Sequence, residues 1–419
     1  MTTRLKILVS AYACSPYKGS EPGVGWGFVS VLAQHHDLWV IVEEEKFHAD
    51  IERYLAEHPQ FPRSVRFEFI RKKRNRMLRR LWPPSYYWYY RRWHQEAYAL
   101  ALRLHRDVGF DLAHQLTMVG FREPGYLWKL GIPFVWGPVG GMGLFPSRFL
   151  SEVGIHGALY YLGYNLLNSW EMRFAARPRR AARAAGCGLL AATPENQAGA
   201  QRYWGCASTV MPEVGLPPTR VLVPAQRESH RPLRLVWTGI HVPRKALNLA
   251  LKALAMLPND VQCELSVLGQ GPRTPAWKRL AERIGVSERT VFHGWLPRES
   301  ALELMASCHL LLITSLRDLT STVTIEALAL GLPIVCLDHC GFAAVVDDTC
   351  GIKVPVTTPR GVIRGLAMAI ERLARDEDLR YRLANGAVQR ALEFSWEAKA
   401  EQLDRIYRRR LAEWRDSTG

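Results

Sequence analysis

Along the 419 residues of the chain, short apolar runs alternate with longer stretches in which apolar positions recur every three or four residues. The short runs predict buried strands and the longer period predicts amphipathic helices. Their regular alternation predicts parallel sheets covered by helices. In the first half, strands are expected at 5–10, 38–42, 66–70, 111–116, 133–137, 187–192 and 207–211. After the first of them, Val24, Phe28, Val31 and Leu32 fall on one helical face. Residues 217–232, rich in proline and charge, interrupt the pattern and read as an inter-domain linker. The alternation then restarts, with strands expected at 234–239, 264–268, 290–293, 309–314 and 333–337. Helices are expected between them, from about 245, around 275–284, at 299–307 and at 321–330. Helices dominate beyond 360, and 397–413 forms a last amphipathic one.

The length suits two domains of about 200 residues each. A hydrophobic content of 48% with 22% charged residues fits a globular chain. No apolar run approaches the roughly 20 residues of a spanning helix. The opening M-T-T-R-L-K-I-L-V-S reads as a first strand rather than a signal peptide, so a cytoplasmic protein is expected.

The formal charge of +16 calls for an anionic partner or surface. Residues 71–93 concentrate nine basic and seven aromatic residues without an acid. That mixture suits an anionic membrane interface, with stacking on single-stranded nucleic acid or a plain solvated face as alternatives. The stretch 173–183 adds five arginines. Of the eight cysteines, Cys336, Cys340 and Cys350 lie closest together, with His339 between them. Cys336 sits in an apolar strand pattern and is expected in a core, so no metal site is expected.

Candidate chemistry concentrates in the second half. The strand 309–314 runs into the loop S-L-R-D-L-T-S-T and then the helix T-V-T-I-E-A-L-A-L-G. Asp318 therefore lies beyond the carboxyl end of a strand, where doubly wound sheets bind ligands, and Glu326 lies eight residues on in the helix. Thr320, Ser321 and Thr322 stand at the helix start, where backbone amides and the helix dipole favour a phosphate. Read alone, Asp318 is equally a helix cap and Glu326 an ordinary helix carboxylate. In the first half, G-S-E-P-G-V-G-W (19–26) follows strand one, and Gly23 and Gly25 permit close approach of backbone to a ligand. The G-x-G-x-x-G spacing of a dinucleotide site is absent, which disfavours NAD.

The stretch D-x7-E-A-L-A-L-G-L-P-I-V resembles the acidic pair of retaining glycosyltransferases of group 1, usually E-x7-E followed by A-x-A-x-G-x-P-V-V. W-T-G-I-H-V-P-R-K-A-L (237–247) is similar to that family's phosphate-binding segment, and L-S-V-L-G-Q-G-P (265–272) to its Gly-x-Gly-Pro turn, with Gly269 and Gly271. T-V-F-H-G-W-L (290–296) resembles its base-binding strand and loop, with Trp295, and F-S-W (394–396) recurs before its closing helix. The resemblance departs at Asp318, where Glu is usual, at Leu319-Thr320-Ser321, where Gly-Phe-Gly is usual, and at Ile240-His241, where an Arg is usual.

The resemblance implies a GT-B architecture, two Rossmann-like doubly wound domains with a cleft between them. Residues 1–220 would form the acceptor domain with the helix 397–416 returning to it, and 221–396 the nucleotide-sugar domain. Glu326 would bind the ribose hydroxyls, Asp318 the donor sugar, and Lys245 with Arg244 the diphosphate. His114, near the end of a predicted strand, would lie by the donor sugar as a catalytic residue, with a purely structural role as the alternative. The implied reaction is transfer with retention from a nucleotide-diphosphate sugar, without cofactor or metal. No D-x-D pair sits where a cation would bridge a diphosphate. The implied acceptor is lipid-linked, lipopolysaccharide or exopolysaccharide, at the inner membrane face. A nucleotide-sugar epimerase of the same fold, or a non-catalytic basic membrane- or nucleic-acid-binding protein, are the alternatives.

Overall fold

The computed structural model describes residues 3–73, 77, 80, 85–216 and 232–418. The expected linker lies outside them except for Pro232. The chain divides into two compact units. Among the described residues, unit 1 holds those up to 142, 170–216 and 396–418, and unit 2 holds 143–169 and 232–395.

Unit 1 is built on seven strands: β1 (Lys6–Ala11), β2 (Asp37–Glu43), β3 (Val65–Ile70), β4 (Leu112–Thr117), β5 (Phe134–Val139), β6 (Leu189–Ala191) and β7 (Thr209–Val210). They form one parallel sheet in the order β3-β2-β1-β4-β5-β6-β7. Its central strands read as continuous apolar runs because helices cover both faces; Ile7, Leu8 and Val9 are all fully buried. The helix Glu21–His35 buries the expected face and also Trp26, Val29 and Ala33. Trp26 packs on the rings of Tyr54, Phe61 and Phe67, while the last helix, Trp396–Thr418, covers the expected face: the Phe28 ring lies edge-on to Trp396 at 5.0 Å, and Trp396 fills the space beside Gly27 and Gly215.

Unit 2 carries β8 (Leu233–Thr238), β9 (Cys263–Leu268), β10 (Thr290–Gly294), β11 (Leu310–Ile313), β12 (Ile334–Leu337) and β13 (Gly351–Val354). They are parallel, in the order β10-β9-β8-β11-β12-β13. Every predicted strand has its counterpart within a residue or two. β13 was not predicted, because G-I-K-V is short, carries a lysine and is half-buried at a sheet edge.

One boundary differs from expectation. Residues 143–169, assigned from sequence to the first domain, pack with unit 2. Polar contacts that no local pattern announces secure them: Glu152 takes hydrogen bonds from Asn248 at 2.8 Å and Lys252 at 2.6 Å, and Arg317 donates to the Tyr164 hydroxyl at 2.5 Å.

Candidate active site

In unit 2 the strand order reverses between β8 and β11, so the loops leaving their carboxyl ends lie side by side. The loop after β8 ends in a tight turn, Pro243–Lys245, and the loop after β11 carries Asp318. Thr314 ties them together, donating to Lys245 O at 2.8 Å and accepting from Trp237 Nε1 at 3.0 Å. Lys245 Nζ lies 2.6 Å from Asp318 Oδ2, and Arg244 Nη1 lies 3.1 Å from Oδ1. Arg244 also donates to Arg317 O at 3.0 Å.

Burial by itself would raise the Asp318 carboxyl; Lys245 and then Arg244 overcome it and hold the group below the ordinary carboxylate range. Asp318 is thus a charged carboxylate clasped by two cations. Its backbone N–H donates to Cys340 Sγ at 3.1 Å, and His339 Nε2 donates to Leu316 O at 3.0 Å. This histidine and cysteine, noted from sequence as possible ligands, brace the acidic loop instead, and Cys336 is fully buried in β12 as expected of a core residue.

Glycine identity matters where the loops stack. Gly269 has φ 96°, and a Cβ there would lie 2.2 Å from Gly239 O. One at Gly271 would lie 2.7 Å from His241 O. Both glycines seat the β9 loop on the phosphate-segment loop, and the Lys245 side chain in turn lies across Gly239. Non-glycine residues take positive φ just before both site helices: Ala246 (φ 47°) before Leu247–Leu254 and Ser321 (φ 66°) before Thr322–Ala329. Such backbone is uncommon for residues with a Cβ and concentrates at functional loops.

Glu326, in the second turn of helix Thr322–Ala329, pairs with Arg298 at 2.6 Å. Arg298 is 61% exposed, so a ligand can exchange for it at little cost. It opens the helix Arg298–Ala306, three residues after Trp295, which is 67% exposed on the loop after β10. Thr322 is exposed and Ser321 half-buried at the helix start. Thr320 is corrected: it is fully buried, packed where a Cβ on Gly341 would sit 2.3 Å from its Oγ1. At the departure from the family pattern, His241 is buried and bonded to Thr274 Oγ1 at 2.7 Å, which leaves Arg244 as the second cation. Arg298 and Arg317 were not singled out as site residues from sequence. Arg317 stands in the quoted S-L-R-D, and Arg298 had no local signal at all.

Unit 1 revises three expectations. His114 lies in mid-strand, not at the strand end, and is fully buried. Its Nε2 donates to Gly137 O at 2.9 Å, so Nδ1 accepts the Tyr407 hydroxyl at 2.7 Å. Burial lowers it to about 4, leaving a neutral, doubly bonded imidazole that supports the last helix. Gly23 and Gly25 lie in helix Glu21–His35, where a Cβ would strike Lys18 O at 2.8 Å and Ala13 O at 2.1 Å. The close approach they permit is to the chain's own loop. The residue that the motif does bring to this sheet's reversal between β1 and β4 is Glu21: it accepts the Val119 N–H at 2.7 Å, and burial raises it to about 7.

The basic-aromatic stretch is also revised. Trp93 and Tyr90 are buried, Trp93 donating to Ile70 O at 2.9 Å. Lys72 is buried within 3.9–5.3 Å of the rings of Tyr12, Tyr86 and Tyr90. Tyr87 and Trp88 are exposed and Tyr89 is half-buried. Arg74, Arg76, Arg79 and Trp82 lie outside the described residues.

Two cations and a carboxylate meet at the reversal point of a parallel sheet, beside the start of the helix that carries Glu326, an arrangement suited to a diphosphate flanked by hydroxyl-bearing groups. The fold is that of a GT-B protein. The fold is shared along nearly the whole chain with the Anabaena protein HepE, solved in complex with UDP (TM-score 0.59, 17% identity, 96% of this chain and 98% of that one). Residues 225–390 match glycosyl transferases group 1.

Among curated relatives, the alpha-D-kanosaminyltransferase of Streptomyces kanamyceticus is 29% identical over 182 residues, 42% of this chain and 46% of that one. The lipopolysaccharide glucosyltransferase WaaG of Escherichia coli K12 is 35% identical over 121 residues, 28% and 31% of the two chains. The chain thus spans under half the length of these relatives in either match.

Proposed function

We propose that the protein transfers a sugar, with retention and without a metal, from a nucleotide-diphosphate donor to a lipid-linked, lipopolysaccharide or exopolysaccharide acceptor at the inner face of the membrane. The observation that carries this reading is the clasp of Asp318 by Lys245 and Arg244 beside the helix bearing Glu326, inside the segment that matches glycosyl transferases group 1. Lys245 and Arg244 would meet the diphosphate and the charge that grows on it as the glycosidic bond breaks. Glu326 would exchange Arg298 for the ribose diol, Trp295 would face the base, and Asp318 would accept hydrogen bonds from the donor sugar. Ser321 and Thr322 would offer helix-start amides to the phosphates. The UDP in HepE supports a nucleotide donor, and the name of the relative WaaG supports the acceptor class.

No helix among the described residues is long and apolar enough to cross a membrane. The membrane contact is proposed as peripheral, with the described exposed part of 71–93 (Arg71, Lys73, Tyr87, Trp88) contributing to it. The test is release of nucleoside diphosphate from a panel of nucleotide-sugars, with and without lipid-linked oligosaccharide acceptors. Acceptor-dependent release with retained anomeric configuration in the product is expected. Conversion of the nucleotide-sugar to an epimer without acceptor would replace the reading.

A further inference from the structure

The helix Gly154–Phe174 carries an apolar stripe on its outside. Ile155, Leu159, Leu162, Leu166, Trp170 and Phe174 recur every three or four residues, as one helical face requires, and each is between 48% and 75% exposed. Tyr160 and Leu167 widen the stripe and are equally open. The stripe is about 30 Å long. Its exposed apolar area is on the order of 1000 Å², beyond the few hundred Å² of the largest patch on an ordinary soluble monomer.

The opposite side of the helix is firmly held. Tyr161 is buried and stacked on Phe145 at 4.1 Å, Asn165 exchanges two hydrogen bonds with the Phe145 backbone at 2.8 and 2.9 Å, and Tyr164 lies under the Arg317 guanidinium at 3.8 Å. The stripe is therefore presented by a helix that is already packed.

We propose that this outer face seats in the headgroup boundary of an anionic bilayer. The charge around it selects that occupant. No exposed position of the helix is acidic; Glu171 is half-buried and paired with Arg122. The stripe ends at the exposed Arg173, and the next helix, Ala176–Ala185, adds the exposed Arg180 and Arg183. Leucine and tryptophan on one side with arginine at the end is the pattern of a helix lying in the interface, its rings at headgroup depth and its cations on anionic lipid. Because Tyr164 stacks on Arg317, next to Asp318, the seated helix also borders the donor loop. This deepens the membrane-facing part of the proposed function, and only the link to the donor loop rests on the glycosyltransferase reading.

Sedimentation with vesicles of phosphatidylcholine alone and of phosphatidylcholine with phosphatidylglycerol tests it. The full chain is expected to partition to the anionic vesicles, and Ile155→Ser/Leu159→Ser/Leu166→Ser to lower that partition at least about tenfold at low and high salt. Arg173→Ser/Arg180→Ser/Arg183→Ser should remove only the salt-sensitive part. All three changed side chains of the first variant are exposed, so its melting temperature should stay at the wild-type value, as should its shift with UDP. Equal partition of wild type and the apolar variant overturns the proposal. So does a concentration-dependent dimer in the ultracentrifuge that this variant abolishes, since a second copy would then cover the stripe. A missing UDP shift with intact vesicle binding would instead count against the donor site.

Discussion

Replacing Asp318 by Asn removes one negative charge from between two cations and changes the side chain little otherwise. In the ligand-free protein Asp318 sits 2.6 Å from Lys245 Nζ and 3.1 Å from Arg244 Nη1, largely shielded from water. Taking one partner out of such a cluster leaves its cations uncompensated and costs about 2–3 kcal/mol of stability, below the roughly 3–5 kcal/mol of fully buried pairs because Arg244 is partly exposed. With a diphosphate the sign reverses. A diphosphate on the same two cations would bring its charge to roughly 6 Å from the carboxylate, a repulsion of about 3 kcal/mol per unit charge at an effective dielectric of 20 that solvent, salt and the two cations reduce to a net of about 1 kcal/mol. Asp318→Asn should therefore melt lower than wild type without ligand and bind UDP roughly fivefold more tightly.

Turnover should fall nonetheless, because the donor sugar loses its carboxylate acceptor. Asp318 is held below the ordinary carboxylate range, so its stabilising contribution is complete above that range and is lost only as pH falls through the lowered value. The difference between the two proteins should accordingly stay constant over about pH 6 to 8. Calorimetric titration with UDP, paired with thermal melts, reads both signs. Wild-type or weaker UDP affinity in the variant would refute the idea that Lys245 and Arg244 are shared between Asp318 and a diphosphate.

Glu326→Gln should weaken UDP binding about fivefold in the same titration, as a charged contact to a diol becomes a neutral one; unchanged affinity would remove Glu326 from the ribose site. Lys245→Ala should lower turnover at least about a hundredfold, the scale of one transition-state charge contact, and wild-type turnover should survive excess chelator. Activity lost to chelator and restored by magnesium or manganese would overturn the second half of that statement. His114→Gln should lower stability by about 2 kcal/mol, because the Tyr407 hydroxyl loses its buried acceptor, while turnover below the melting range stays within a few-fold. Burial lowers His114 from 6.5 to about 4, so wild-type stability should decline as pH falls from 6.5 toward 4. On a single-group basis this is about 3 kcal/mol that urea melts of the variant should no longer show. A hundredfold loss of turnover with an unchanged melt would return His114 to the active site.

The alternation of short apolar runs and helical periods determined by itself that there are two doubly wound parallel sheets, because both faces of each sheet must be buried and that demand is written locally. The second half of the site was legible for a related reason. Asp318, Lys245 and Arg244 stand between strand ends and helix starts, with Glu326 one turn into the helix that follows Asp318, and the order of β8 and β11 in the sheet brings those ends together. Side-chain direction and partner choice were not written locally. Nothing in the chain around His114 says that Tyr407, almost 300 residues away, supplies its hydroxyl, and nothing around Gly25 says that Ala13 O occupies the space a Cβ would need. Lys72 and Trp93 belong to a pattern that suits a surface, yet the fold turns them into an aromatic core. The helix Gly154–Phe174 shows the reverse. Its three-to-four-residue apolar period is the same whether a stripe faces a core or solvent, and only the tertiary packing, which gives Tyr161, Tyr164 and Asn165 the inner side, leaves Leu159, Leu166 and Trp170 facing out.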